Sequence, residues 1–283
     1  MFEPDDLIEG QLGLGEALRM LRKAQNLAGD RLALRAHMSQ SKISRIETGK
    51  ILPSVLDVER IVHALGVAPE ESARLLQLAR AANTDFESRR RSRQRGSAWR
   101  QQDFSALMSQ AKQVRYVLPT MLAGLLQIRE YVRSDVFHPL SRGSESELNV
   151  LVEAKLARQS VLDDPAKEFR FLLTEAAVRC RVADAATMAA QVEHLVNLSR
   201  RGNVELMVIP LAAQFANVPI NIFAVYDERL VTVEMEAGTL ALRDPADVAE
   251  HLELFAHFRR HALEGDACRA FLHGIADEFR REL

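Results

Sequence analysis

The residues best equipped for chemistry lie in one short run, Ser39-Gln40-Ser41-Lys42-Ile43-Ser44-Arg45-Ile46-Glu47. At helical spacing Ile43 and Ile46 share one face, which leaves Gln40, Ser41, Lys42, Ser44 and Arg45 pointing away from it. Amide, hydroxyl and guanidinium groups on the leading turns of an exposed helix match the donors and acceptors along base edges in a DNA major groove. Ser39 precedes the run as a helix N-cap, and Gly49 stands where such a helix stops. Asp30 to Gly49 therefore reads as a short helix carrying Leu32 and Ala33 inward, a tight turn, and a second, outward-reading helix.

Other chemistries find weaker footing. His257 and His261 are four apart and share a helix face, but the string between them, HFRRH, lacks the acid of a zinc-peptidase motif. Cys180 and Cys268 are far apart without CxxC spacing, so neither a disulfide framework nor a zinc knuckle is indicated. Glu234 and Glu236 alternate on one strand face with no base beside them. Ala123-Gly124 resembles the cleavage site of self-processing repressors, yet no Ser or Lys occurs after residue 200 to serve as nucleophile and base. No phosphate-binding or dinucleotide-binding glycine pattern is present. The expectation is a chain that is not an enzyme, with no cofactor and no metal.

These residues need elements to hold them. LGLGEALRMLRKAQNLAG spaces Leu14, Leu18, Leu21 and Gln25 as a helix. Ser54 caps a helix with Val55, Val58, Ile61, Val62 and Leu65 on its apolar face, closed by Gly66, and Pro69 opens a fifth through Leu75, Leu76 and Leu78. Before them Glu3 to Glu9 reads as a loose acidic tail. Between Leu12 and Lys50 eight Lys or Arg face three acids, a local excess of five in a chain whose net charge is −2. That local excess suits a DNA-facing surface, whereas the overall balance excludes indiscriminate nucleic-acid binding. No stretch is long and apolar enough to span a membrane, and the acidic N-terminus is unlike a signal peptide, so a cytoplasmic location is expected.

Residues 12–82 thus form a five-helix bundle. Asn83 to Arg100 is an arginine-rich linker, with five arginines from Arg89 to Arg95, and Trp99 is expected to pack at the start of a second domain, 101–283. That domain reads as helical from Phe104 to Leu162, with Pro119 interrupting or starting a helix. FRFLLT (169–174) and VELMVIP (204–210) follow as strands flanking a helix, which favours a parallel pair. NIFAVYD and VTVEME form a hairpin about Asp227 to Arg229, TLALRD adds a short strand, and helices close the chain at about 246–263 and 266–281. The predicted class is mainly α with α+β: a helical N-terminal bundle and a C-terminal domain with one mixed sheet flanked by helices.

The string SQSKISRIETGKILPSVLDVERIVHALGV resembles the Cro/C1-repressor (Xre-type) helix-turn-helix family, and the likeness covers residues 12–80. It implies that Gln40, Ser41 and Arg45 face bases, that Lys42, Ser44 and Lys50 lie at the DNA backbone, and that Arg22 and Glu47 form a buried ion pair beside the Ser39 cap. Two departures stand out. Ala28-Gly29-Asp30 replaces the usual Ser/Thr-Gln opening, leaving Asp30 as the candidate cap, and His37 occupies the turn position usually held by Gly. VLPTMLAGLLQIREYVR, FRFLLTEAAVR, MAAQVEHLVNLSRRGNVELMVIPL and DPADVAEHLELFAHFRRHAL resemble the regulatory domain of actinobacterial WhiJ-like, toxin–antitoxin-like regulators. The resemblance implies double-stranded DNA as ligand, a homodimer on an inverted repeat, and a small protein partner from a neighbouring gene. Alternatives are an antitoxin-like protein that mainly sequesters that partner, and a repressor responding to a small ligand.

Overall fold

The computed structural model describes residues 4–88, 90, 106–137, 144–214 and 216–283, with side chains from Gly13 onward. The chain divides into two compact units, Met1–Glu87 with Leu240–Asp247, and Ser88–Thr239 with Val248–Leu283.

The first unit holds five helices: α1 (Pro4–Ala24), α2 (Gly29–Arg35), α3 (Gln40–Glu47), α4 (Val55–Ala64) and α5 (Pro69–Asn83). Their apolar stripes converge on one core of Leu14, Leu18, Leu32, Ile43, Ile46, Val58, Ile61 and Leu75. Four of the helices stop in the same way. After α1, α2, α3 and α4 the chain enters the left-handed region at Asn26 (φ 49°), His37 (φ 53°), Gly49 (φ 68°) and Gly66 (φ 58°). In each case the next amide reaches back to a carbonyl of the last turn, as Met38 N–H does to Ala33 at 2.9 Å and Lys50 N–H to Arg45 at 2.8 Å. Asn and His tolerate this conformation, so the turn before α3 needs no glycine.

Two N-terminal expectations are corrected. Residues from Pro4 to Glu9 belong to α1 instead of forming a loose tail; Pro4 followed by Asp5 and Asp6 is a composition that favours a helix start. The stretch read as linker begins with regular structure, because Thr84–Ser88 forms strand β1 directly after α5. Residue 89 and residues 91–105, with most of the arginine run and Trp99, lie outside the described residues.

In the second unit, strands β2 (Gln113–Leu118), β3 (Glu168–Thr174), β4 (Val204–Ile209), β5 (Ile222–Tyr226) and β6 (Leu230–Met235) lie in the order β6-β5-β2-β3-β4. β2, β3 and β4 run parallel, with Tyr116 opposite Phe171 and Phe171 opposite Leu206, while β5 runs antiparallel to β2 and to β6. A further strand, β7 (Gly238–Leu242), is the hydrogen-bonded neighbour of β1. Helices α6 (Arg129–Val136), α7 (Glu145–Ala157) and the short α8 (Glu175–Arg179) and α9 (Ala185–Leu198) connect the parallel strands; α10 (Pro245–Arg259) and α11 (Gly265–Arg280) close the chain. α11 packs on α9 and β4. The mixed sheet and its flanking helices are those expected.

β2 is not. The sequence predicts helices between Phe104 and Leu162, with Pro119 interrupting or starting one and a Gly/Ser loop before the last, yet Gln113–Leu118 is a strand between β3 and β5. The run is short and alternates only from Gln113 to Tyr116, with Gln113 and Arg115 half-buried between Val114 and Tyr116, before Val117 and Leu118, both buried, break the period. β-branched and aromatic residues suit it to the sheet interior, and Pro119, with no N–H to give the ladder, ends it.

Candidate nucleic-acid interface

Helix α3 is built to stand with one face in the core. Ser39 Oγ accepts the Lys42 N–H at 3.2 Å, which caps the first turn. Ile43 and Ile46 are buried, while Gln40, Ser41, Lys42, Ser44 and Arg45 are exposed, as is Lys50 beyond the Gly49 turn. The residues predicted to face DNA thus share the solvent side of one eight-residue helix and the turn after it.

The helix is fastened from behind. Arg22 of α1 donates from Nε and Nη2 to the two Glu47 carboxylate oxygens at 2.6 and 2.7 Å, and from Nη1 to the Leu27 carbonyl at 2.7 Å. Both side chains are largely out of water, at 14% and 8% exposure. The hydrogen bonds to Glu47 outweigh burial and raise the Arg22 pKa, so the guanidinium stays charged. Beside this clamp the two helices come as close as backbone allows: a Cβ at Gly15 would stand 2.3 Å from the Ile46 carbonyl oxygen.

The cations on this side differ from one another. Lys42 Nζ lies 2.6 Å from Asp57 Oδ1, and the other Asp57 oxygen accepts the Ser54 N–H at 3.1 Å in the capping box that opens α4. Its charge is therefore partly committed to the protein. Among the described residues no ion pair holds Arg45 or Lys50. Asp30 does not cap α2 as expected: the N-cap is Ala28, without a side-chain bond, and the Asp30 carboxylate accepts the Arg31 N–H at 2.8 Å from inside the first turn.

Three further positions escaped the sequence reading. Gly15 carried a signal, since a glycine inside an apolar helical pattern marks a close backbone approach. Asp57 carried one too, as the acid three residues after a capping Ser. Asp244 carried none for this role: it lies 189 residues from Val55, whose N–H it accepts at 2.8 Å, and belongs to the first unit through the segment Leu240–Asp247.

Residues 101–274 match the family described as Domain of unknown function (DUF5753), and residues 13–75 match the family described as Helix-turn-helix domain. No curated protein matches the chain. Among solved structures, the restriction-modification controller protein C.AhdI from Aeromonas hydrophila is 28% identical over 24% of this chain and 97% of its own, with a TM-score of 0.21. Nuc, a phospholipase D family member from Salmonella typhimurium, is 13% identical over 59% of this chain and 90% of its own, at 0.32. TrmBL2, an archaeal chromatin protein, is 13% identical over 73% of this chain and 66% of its own, at 0.33. At TM-scores this low the three likenesses define neither fold nor function here.

Proposed function

Because the chain belongs to the family of the domain of unknown function DUF5753 and carries a helix-turn-helix domain ahead of it, we propose that it is a sequence-specific DNA-binding transcriptional regulator, acting in the cytoplasm and without an enzymatic step of its own. The observation that carries this reading is α3 itself. Gln40, Ser41 and Arg45 project from a helix capped by Ser39, seated by Ile43 and Ile46, and fixed by Glu47 to Arg22. Bidentate amide and guanidinium contacts to purine edges supply discrimination, while Lys50, Ser44 and Lys42 supply phosphate contacts that set register.

One such helix reads only a half-site, so the reading includes a homodimer on an inverted repeat with half-sites about one helical turn apart. The C-terminal domain would supply dimerisation and a regulatory surface for a small protein partner from a neighbouring gene; this part rests on the resemblance to WhiJ-like regulators. Gel shift on an operator recovered by genome-wide DNA pulldown tests the DNA-reading role. Gln40→Ala and Arg45→Ala should each weaken the specific complex, and wild-type binding by both variants would remove the recognition assignment. Co-purification with the product of the adjacent gene tests the partner.

A further inference from the structure

The first turns of α3 and α4 are joined by one ion pair. Lys42, the third residue of α3, brings its Nζ to 2.6 Å from Oδ1 of Asp57, the third residue of α4. Asp57 is held in place on its own helix. Its Oδ2 accepts the Ser54 N–H at 3.1 Å, and its N–H donates to Ser54 Oγ at 3.0 Å. The Asp57 side chain is 7% exposed, against 44% for Lys42. The carboxylate is thus the fixed partner, and the ammonium, on a flexible four-carbon stem, is the one that can leave.

Placement along the two helices favours the pair. The N-terminal end of a helix is electropositive, so a lysine in the first turn of α3 is poorly placed by itself, and that turn holds no acid. Asp57 stands in the first turn of α4, where a carboxylate is favoured. The acid of one helix start therefore supplies what the lysine of the other lacks. Lys42 differs in this from Arg45 and Lys50, which are exposed and, among the described residues, have no ion pair to give up. Lys42 reaches a phosphate only by leaving Asp57, and the carboxylate it leaves behind would face the same DNA backbone.

We propose that Asp57 is a built-in restraint on DNA binding: it withholds Lys42 from the phosphates and so limits the affinity of this face for any DNA. The proposal rests on the DNA-binding reading of α3 and deepens it, because the phosphate contact assigned to Lys42 is made only in competition with Asp57.

Binding of the full-length protein to a random-sequence duplex, followed by fluorescence anisotropy from about 50 to 200 mM salt, tests it. Asp57→Asn keeps an oxygen for the Ser54 N–H and removes the charge. It should bind about fivefold more tightly at low salt, the factor for one pair of unit charges about 4 Å apart in water. The slope of log affinity against log salt should steepen by about 1, for one more phosphate neutralised. Lys42→Gln should flatten the slope by about 1 in the Asp57→Asn background and by less than half as much in the otherwise unaltered protein. That last arm needs no change at Asp57 and stands even if Asp57→Asn does not fold. Asp57→Asn binding no more tightly than wild type, strict additivity of the two substitutions, or Lys42→Gln alone flattening the slope as much as Lys50→Ala would each overturn the restraint while leaving the regulator reading intact. Absence of DNA binding by every variant, wild type included, would instead remove that reading and the restraint with it.

Discussion

The Asp244 carboxylate serves two helix starts at once, accepting the Val55 N–H of α4 at 2.8 Å through Oδ2 and the Ala246 N–H of α10 at 2.9 Å through Oδ1. Both amides belong to first turns, whose N–H groups have no partner within their own helix. The carboxylate is 7% exposed, so water cannot readily replace it. Asp244→Ala should cost about 1–2 kcal/mol of stability, in the range of a lost N-cap. Asp244→Asn, which keeps an acceptor oxygen but loses the charge, should cost less. Denaturant unfolding together with amide exchange at Val55 measures this; unchanged protection of that amide in Asp244→Ala would remove the assigned role.

Arg22 and Glu47 should be interdependent. Removing either side chain leaves the other charge mostly buried and alone, so Arg22→Ala and Glu47→Ala should each destabilise the helix-turn-helix unit by about 3–5 kcal/mol. Arg22→Met combined with Glu47→Leu should cost much less than the two single losses added together. A double-mutant cycle by chemical unfolding reads the coupling, and strict additivity would contradict a direct pair.

Gly15→Ala sets two effects against each other. Helix propensity alone favours Ala over Gly by about 1 kcal/mol. The new Cβ would meet the Ile46 carbonyl oxygen at 2.3 Å, however, and neither helix backbone can yield cheaply. Overpacking of this kind costs about 1–3 kcal/mol, so the sum should be destabilising. A variant more stable than wild type in thermal unfolding would show that α1 and α3 do not approach so closely.

Lys50 and Arg45 should separate phosphate from base contacts. Lys50→Ala is expected to weaken binding to operator and random DNA alike and to lower the slope of log affinity against log salt by about 1. Arg45→Ala should cost about 1–3 kcal/mol on the operator and much less on random DNA. Equal losses on both DNAs for Arg45→Ala would move that residue to the backbone class.

Asp227 gives the second unit an acid-sensitive bond. It sits in the β5–β6 turn at φ 52°, and its Oδ1 accepts the Lys112 and Gln113 N–H groups at 3.0 and 2.9 Å at the start of β2, while Oδ2 meets Arg229 at 2.9 Å. Burial by itself would raise its pKa, but those hydrogen bonds outweigh it and hold the carboxyl below its usual range. A depressed folded-state value stabilises the fold above the unfolded value near ~4, and the contribution is lost as pH falls through the lower folded one. Asp227→Asn, which tolerates the same backbone conformation, should cost about 1–2 kcal/mol at pH 7 and progressively less below about pH 4. A cost that stays constant down to pH 2 would show that the charge is irrelevant.

How far these features could be read beforehand depended on how local they were. The helices α2 to α5, the Ser39 cap, the His37 turn and the outward side of α3 were legible because each is written in one helix and the turns that flank it. Apolar period, cap and stop signal agree there. The β5–β6 hairpin and the parallel strands β3 and β4 were legible for the same reason, as each is a short apolar run bounded by turn residues. β2 was not, because its alternation lasts only from Gln113 to Tyr116 before the buried pair Val117-Leu118, and what makes Gln113–Leu118 a strand is the pair of neighbours on either side.

The solvent-facing residues of α3 and the helix that carries them follow from sequence alone, since a helix of eight residues with two isoleucines three apart has only one way to face its core. What required the tertiary structure is whatever joins distant parts of the chain. Asp57 draws off part of the charge of Lys42, and Asp244 supplies a cap to α4 from 189 residues away. No spacing rule encodes such contacts, because they depend on where whole elements come to rest and not on the period of any one of them.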